Sequence, residues 1–179
     1  KDKALADFTY ECSLCHHTYP DNGILYTCPA CEGNLIIRNA FETNPALIKQ
    51  TDILNNPEQS IWRYAPLLPA SDPGFEHSPL HKIGCTPLYS SDHLASELGI
   101  KKLWLKDESS NPSGSFKDRS SAIVIARGFE MNKTVSITAS TGNAGAAMAC
   151  AAASCGCTAI ILAPRSAPPA KIAQLQCYG

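Results

Sequence analysis

Beyond Pro79 the chain alternates short apolar runs with longer stretches of helical periodicity, separated by glycine, proline or small polar residues. Leu103–Lys106 reads as a strand, and a helical pattern follows from Phe116 to Met131. Thr134–Thr138 reads as a second strand. The alanine-rich stretch after Asn143 reads as a helix to Cys155, stopped by Gly156. Thr158–Leu162 is a third strand and Pro168–Tyr178 a third helix. This β-α-β-α-β-α order predicts an α/β fold built on a parallel sheet with right-handed crossovers. Just upstream, Thr86-Pro87-Leu88 opens a segment, Asp92 is placed to cap a short helix to Leu98, and Gly99 ends it. Residues 40–78 lack this rhythm. A short helix begins at Asn44-Pro45-Ala46-Leu47-Ile48 and ends at Asn55-Asn56-Pro57. Ile61-Trp62-Arg63-Tyr64 and Leu67-Leu68-Pro69 then supply large side chains for packing, before a turn at Ser71-Asp72-Pro73-Gly74. The expected organisation is a small N-terminal module over 1–39, a packing linker over 40–78 and an α/β part over 79–179.

The N-terminal module is defined by Cys12-Ser13-Leu14-Cys15 and Cys28-Pro29-Ala30-Cys31, twelve residues apart. Each CxxC turn can present two thiolates to one tetrahedral ion, and the segment between can fold back as a hairpin. This suits a structural zinc ribbon with four thiolate ligands. Two alternatives stay open: a haem-attachment pattern at Cys12-x-x-Cys15-His16, which would leave the second pair unexplained, and a ribbon that no longer binds metal. His16 and His17 read as exposed bystanders. The remaining cysteines, Cys85, Cys150, Cys155, Cys157 and Cys177, are scattered, so the total of nine is no disulfide framework and fits a reducing cytoplasm. The net charge of -1 offers no bulk field for nucleic acid or an anionic membrane. No apolar run is long enough to span a bilayer, and the N-terminus lacks a signal-peptide pattern.

Two loops carry the chemistry. The first, Asn111-Pro112-Ser113-Gly114-Ser115-Phe116-Lys117-Asp118-Arg119, joins the first strand to the first long helix. Pro112 and Gly114 break the backbone, and Ser115 with Asp118 three residues on reads as a capping-box variant that starts the helix near Phe116. Lys117 then lies in the first helical turn, beside the positive end of the dipole, where a cation is either solvated or used. The second loop, Ser140-Thr141-Gly142-Asn143-Ala144-Gly145, precedes the next helix, whose unpaired N–H groups favour a carboxylate or phosphate. An ordinary turn capped by Asn143 is the plain alternative. If both loops lie at one edge of one sheet, the lysine faces an anion cradle. Neither a Walker-type phosphate loop, a dinucleotide fingerprint nor a nucleophile elbow is present in the sequence. A held lysine without those motifs points to Schiff-base chemistry.

The lysine loop closely resembles the pyridoxal-phosphate motif of fold-type II enzymes, in particular threonine synthases. Ala139-Ser140-Thr141-Gly142-Asn143 is similar to their substrate-carboxylate loop. Thr86-Pro87-Leu88, Lys106-Asp107-Glu108, Ile61-Trp62-Arg63-Tyr64 and the paired CxxC turns resemble the zinc-ribbon branch, so the resemblance runs from Phe8 to Gly179. It implies pyridoxal 5′-phosphate and structural zinc as cofactors. Lys117 would form the internal aldimine and shuttle protons, and Asn143 would hydrogen-bond the pyridine 3′-oxygen. Ser140, Thr141 and the Gly142 backbone would hold the substrate carboxylate. Cys12, Cys15, Cys28 and Cys31 would bind the metal. The implied reaction converts phosphohomoserine and water to threonine and phosphate in a homodimer acting on a small amino acid. Alternatives are a related β-elimination or β-replacement, as in cysteate synthase or threonine dehydratase, or a non-catalytic zinc-ribbon binding module. Ile83-Gly84-Cys85 and Ser120 depart from the family pattern, which bears on the substrate more than the cofactor. The glycine-rich phosphate cup and the pyridine-nitrogen partner of the family's second half are not found. An N-terminal part or one piece of a split enzyme is therefore expected, inactive alone and with an apolar face that drives self-association.

Overall fold

Alternation of inward and outward side chains makes β1 (Phe8–Cys12), in which Phe8, Tyr10 and Cys12 are buried and Thr9 is exposed. The computed structural model describes residues 8–23 and 26–179; residues 1–7 and 24–25 of the expected ribbon lie outside it. β1 pairs antiparallel with β2 (Thr18–Pro20) on one side and with β3 (Leu35–Asn39) on the other. Two short helices follow, α1 (Ala40–Thr43) and α2 (Gln50–Leu54), with a 3-10 turn at Pro45–Leu47 between them. The chain forms two compact units, and the first comprises these elements together with Trp62–Pro73 and Ala126–Lys133. In this unit the Phe8 and Tyr10 rings meet edge to face at 5.4 Å. The Arg127 guanidinium lies 5.2 Å from the Phe8 ring centre and pairs with Asp21 at 2.5 Å and Glu130 at 2.7 Å.

The second unit, Gln59–Ile61, Gly74–Ile125 and Thr134–Gly179, holds most of the α/β elements. β4 (Leu88–Ser90) and β5 (Trp104–Lys106) flank α3 (Asp92–Glu97). Ser91, not Asp92, occupies the N-cap of α3, and Asp92 supplies negative charge in its first turn. α4 (Lys117–Glu130) starts one residue after the expected Phe116. β6 (Val135–Ala139) and β7 (Thr158–Leu162) pair in parallel register, Val135 opposite Thr158 and Ala139 opposite Leu162, joined through α5 (Asn143–Ala153). α6 (Pro169–Cys177) closes the series.

The parallel α/β character holds, with one correction to its topology. β5 pairs antiparallel with β4, and among the described residues it does not extend the β6–β7 pair. The thirteen residues between β4 and β5 hold only a short helix and turn the chain back beside itself, which is antiparallel pairing. The two chemistry-bearing loops therefore follow strands of different sheets, and something other than a shared sheet edge must bring them together.

α5 explains its own alanines. Gly145–Ala152 are all buried, so the helix is enclosed around its circumference and only small side chains fit. A Cβ on Gly145 would come within 3.1 Å of Ile161 Cγ2 and 3.2 Å of Ser140 Cβ, so glycine permits the close seating of α5 on β7. The opposite face of the β6–β7 pair is apolar and exposed: Val135, Ile137, Ile160 and Leu162 are each at least 43% accessible. Among the described residues no helix is long and apolar enough to cross a membrane.

Candidate active site and cysteine cluster

The lysine loop is held from below by charge. Glu108 follows β5 in a 3-10 turn, Glu108–Ser110, capped by Asp107, whose carboxylate accepts from the Ser109 N–H at 3.1 Å. The Glu108 carboxylate accepts from Arg119 Nε at 2.8 Å and Nη2 at 2.7 Å, from Thr86 Oγ1 at 2.7 Å and from Asn111 Nδ2 at 3.0 Å. The Arg119 guanidinium, joined by the Thr86 and Asn111 donors, holds this carboxyl down to about 2 against the opposing effect of burial. Buried Asn111 also accepts from the Gly84 N–H at 3.0 Å. Gly84 has φ +90°, and a Cβ there would meet Ile61 N at 2.9 Å, so the backbone approaches where only glycine fits. Thr86, Glu108, Asn111 and Arg119 thus fasten both ends of the lysine loop to the segment before β4.

Within the loop, Asp118 is nearly fully buried and accepts from the Ser113 N–H at 2.8 Å, two residues further back than the expected Ser115 and in addition to it. Burial raises its carboxyl, and bonds from Ser113 and from the Ser115 backbone oppose the rise. Its Oδ1 is buried with no hydrogen-bond partner among the described residues. Lys117 is the first residue of α4, half-buried, with Nζ 4.8 Å from the Phe116 ring centre.

Ser140 caps α5 from outside the helix. Its Oγ accepts from the Gly142 N–H at 3.2 Å and from the Gly145 N–H at 2.9 Å. The Gly142 N–H, the group expected to meet a carboxylate, is thereby engaged by Ser140, while Thr141 and Asn143 are exposed. α6 supplies what the sheet does not. Lys171 Nζ donates to Asn143 Oδ1 at 2.7 Å and to Gln174 Oε1 at 3.1 Å, and Gln174 Nε2 donates to the Ser113 carbonyl at 3.2 Å. The loops carrying Lys117 and Asn143 are thus joined by two side chains one helical turn apart.

The four cysteines of the CxxC pairs converge. Their sulfurs all lie within 4.8 Å of one another, with Cys12 and Cys31 at 3.5 Å and Cys15 and Cys28 at 3.6 Å. A zinc ion with four sulfurs at about 2.3 Å sets tetrahedral edges of about 3.8 Å, so the spacing suits one such ion. The N–H groups of Leu14 and Cys15 point at Cys12 Sγ at 3.4 and 3.5 Å. Tyr19 Oη lies 3.1 Å from Cys28 Sγ, and this bond pulls the Cys28 thiol down to about 6 while pushing the Tyr19 hydroxyl up to about 12. His16 is exposed and bonds Glu11 at 3.2 Å, outside the cluster.

Sequence reasoning placed Lys117, Asn143 and the cysteines in structured sites. It did not find the Arg119–Glu108 pair, Lys171, Gln174 or Tyr19, because their partners are set by packing rather than by local spacing.

The sequence profile of the family described as "Pyridoxal-phosphate dependent enzyme" matches residues 80–179. The threonine synthase of Methanosarcina acetivorans is 34% identical over 171 residues, covering 94% of this chain and 40% of that protein. The threonine synthase of Methanocaldococcus jannaschii is 38% identical over 169 residues, covering 94% and 41%. The chain thus spans about 40% of the length of these relatives. Among solved structures, maize serine racemase is similar with a TM-score of 0.52 and 34% identity, over 59% of this chain and 32% of that one. O-acetylserine sulfhydrylase isoform 3 of Entamoeba histolytica gives 0.53 and 27%, over 57% and 33%.

Proposed function

The chain belongs to the family of pyridoxal-phosphate dependent enzymes, and on that premise we propose that it serves a threonine synthase-like reaction. The proposed conversion takes O-phosphohomoserine and water to threonine and phosphate. The observation that carries the reading is Lys117 at the start of α4, in a loop tied to Asn143 through α6. The two threonine synthases support the choice of reaction, because each matches 94% of the chain at 34% and 38% identity.

The donor set fits the cofactor. Lys117 offers a primary amine for an aldehyde, and the amide of Asn143 stands at the N-terminus of α5, whose dipole favours anionic groups. When bound, pyridoxal phosphate supplies the electron sink for bond breaking at the substrate carbon. Lys117 Nζ would anchor the cofactor and carry a proton to and from that carbon. Asn143 would donate to the 3′-oxygen. Ser140 would hold the loop through Gly142 and Gly145, leaving the Thr141 hydroxyl and the end of α5 for the carboxylate. Cys12, Cys15, Cys28 and Cys31 would hold one structural zinc ion, since the sulfur spacing suits a closed four-thiolate site. The proposed division is a ribbon over 1–39, a packing segment over 40–78 and part of the catalytic domain over 79–179. A homodimeric, cytoplasmic enzyme without nucleic-acid or membrane partners completes the reading.

The test uses the complete protein. Pyridoxal phosphate is added, the adduct is reduced with borohydride, and the modified peptide is mapped by mass; the added group should sit on Lys117 and vanish in Lys117→Ala. Phosphate release should be faster from O-phosphohomoserine than from O-phosphoserine, and threonine should not be deaminated. Label on a different lysine alone would sink the site. Preference for phosphoserine or threonine would move the reaction to the cysteate synthase or threonine dehydratase type.

A further inference from the structure

We infer that Lys171 is a positioning residue that fixes the amide of Asn143 for the cofactor. The inference rests on the proposed pairing of Asn143 with the cofactor's 3′-oxygen. An asparagine amide can present either its oxygen or its NH2 group to a site, and an exposed one turns freely between the two. Asn143 is exposed, yet its Oδ1 lies 2.7 Å from Lys171 Nζ. An ammonium has three donors and no acceptor, so only the amide oxygen can face it. The Nδ2 group is then committed to the other side as a donor, and an acceptor such as a phenolic oxygen is what it can serve.

The same reasoning fixes Gln174. Lys171 Nζ donates to its Oε1 at 3.1 Å, which turns Nε2 toward the Ser113 carbonyl at 3.2 Å. Ser113 in turn donates its N–H to the buried Asp118 carboxylate beside Lys117. The relay Asn143–Lys171–Gln174–Ser113 gives every group one sense, with no amide able to flip without losing a bond. No sheet edge ties these two loops, because among the described residues their strands belong to different sheets. Lys171 reaches Asn143 with its charge and the lysine loop through Gln174. It sets where the amide sits relative to Lys117 without touching the reacting atoms.

The experiment measures pyridoxal-phosphate affinity and the pH titration of the visible band of the bound cofactor. It uses the complete protein and the variants Lys171→Met, Lys171→Arg, Asn143→Ala and Lys171→Met with Asn143→Ala. Loss of one charge-assisted hydrogen bond should weaken cofactor binding about tenfold in Lys171→Met and shift the titration of the band. Lys171→Arg, which still offers donors only, should recover binding to within about threefold of the parent. In the Asn143→Ala background, Lys171→Met should change affinity by less than about twofold, because its route of action is gone. Binding by Lys171→Met within twofold of the parent with an unmoved band overturns the inference and leaves the function intact. An equal loss in both backgrounds overturns it also, by showing that Lys171 acts elsewhere. Should Lys171→Met not fold, Lys171→Gln is measured in both backgrounds against the same criteria. Failure of the parent to load Lys117 overturns the proposed function and this inference together.

Discussion

Glu108→Gln keeps the shape of the side chain and removes the charge that fastens the lysine loop. In the parent the carboxyl is lowered from its ordinary 4.5 to about 2, chiefly by Arg119. At about 1.4 kcal/mol per pH unit, that shift is worth at most about 3.5 kcal/mol. The side chains are 25% and 31% exposed, so water screens the pair and the expected loss is about 2 kcal/mol at pH 7. The sign follows from linkage. A depressed carboxyl stabilises the fold fully above 4.5, and its contribution fades as pH falls from 4.5 toward 2. By pH 3 more than half is gone, so the parent and variant should converge by about 1 kcal/mol between pH 7 and pH 3. Urea unfolding of both proteins at pH 7, 5, 4 and 3, followed by tryptophan fluorescence, measures the difference directly. A gap below about 0.5 kcal/mol at pH 7, or one that stays level down to pH 3, would refute the charge-fastening argument.

Two further outcomes are expected. Gly84→Ala places a Cβ 2.9 Å from Ile61 N at φ +90° and should cost about 2 kcal/mol or more in the same unfolding assay; stability within about 0.5 kcal/mol of the parent would show that the segment relaxes. Native protein prepared under reducing conditions should carry about one zinc ion per chain, and a chelator should release it while making the four ribbon thiols reactive to a disulfide reagent. Metal-free protein whose cysteine reactivity ignores chelator and added zinc would mark the cluster as structural without metal.

The extent to which the sequence announced this arrangement follows the range of each interaction. Helix ends were legible because Gly156, Pro168 and the Ser115–Asp118 spacing act on their own neighbours. The ribbon was legible because CxxC spacing is itself a local geometry. Pairing of β5 was not, since a three-residue strand carries too little periodicity to declare its partner. Nor was the Thr86–Glu108–Arg119 cluster, whose members are 22 and 11 residues apart and meet only after the chain has turned. Asp118 illustrates the intermediate case. The helix start was read to within one residue, while the carboxylate accepts from the Ser113 N–H as well as from the expected Ser115 backbone, a bond from outside the Ser115–Asp118 span that the capping-box pattern does not announce.

The ion pair between Arg127 and Asp21 also imposes a schedule on synthesis. The two residues are 106 positions apart, within one compact unit. At about 5–20 residues per second, the ribosome delivers Arg127 roughly 5–20 s after Asp21. Through that interval the Phe8 ring and the Asp21 carboxylate wait for the guanidinium that covers one and neutralises the other. The four clustered cysteines, by contrast, are all delivered by residue 31. A metal ion captured at that moment would hold the nascent ribbon in register until the distant arginine arrives.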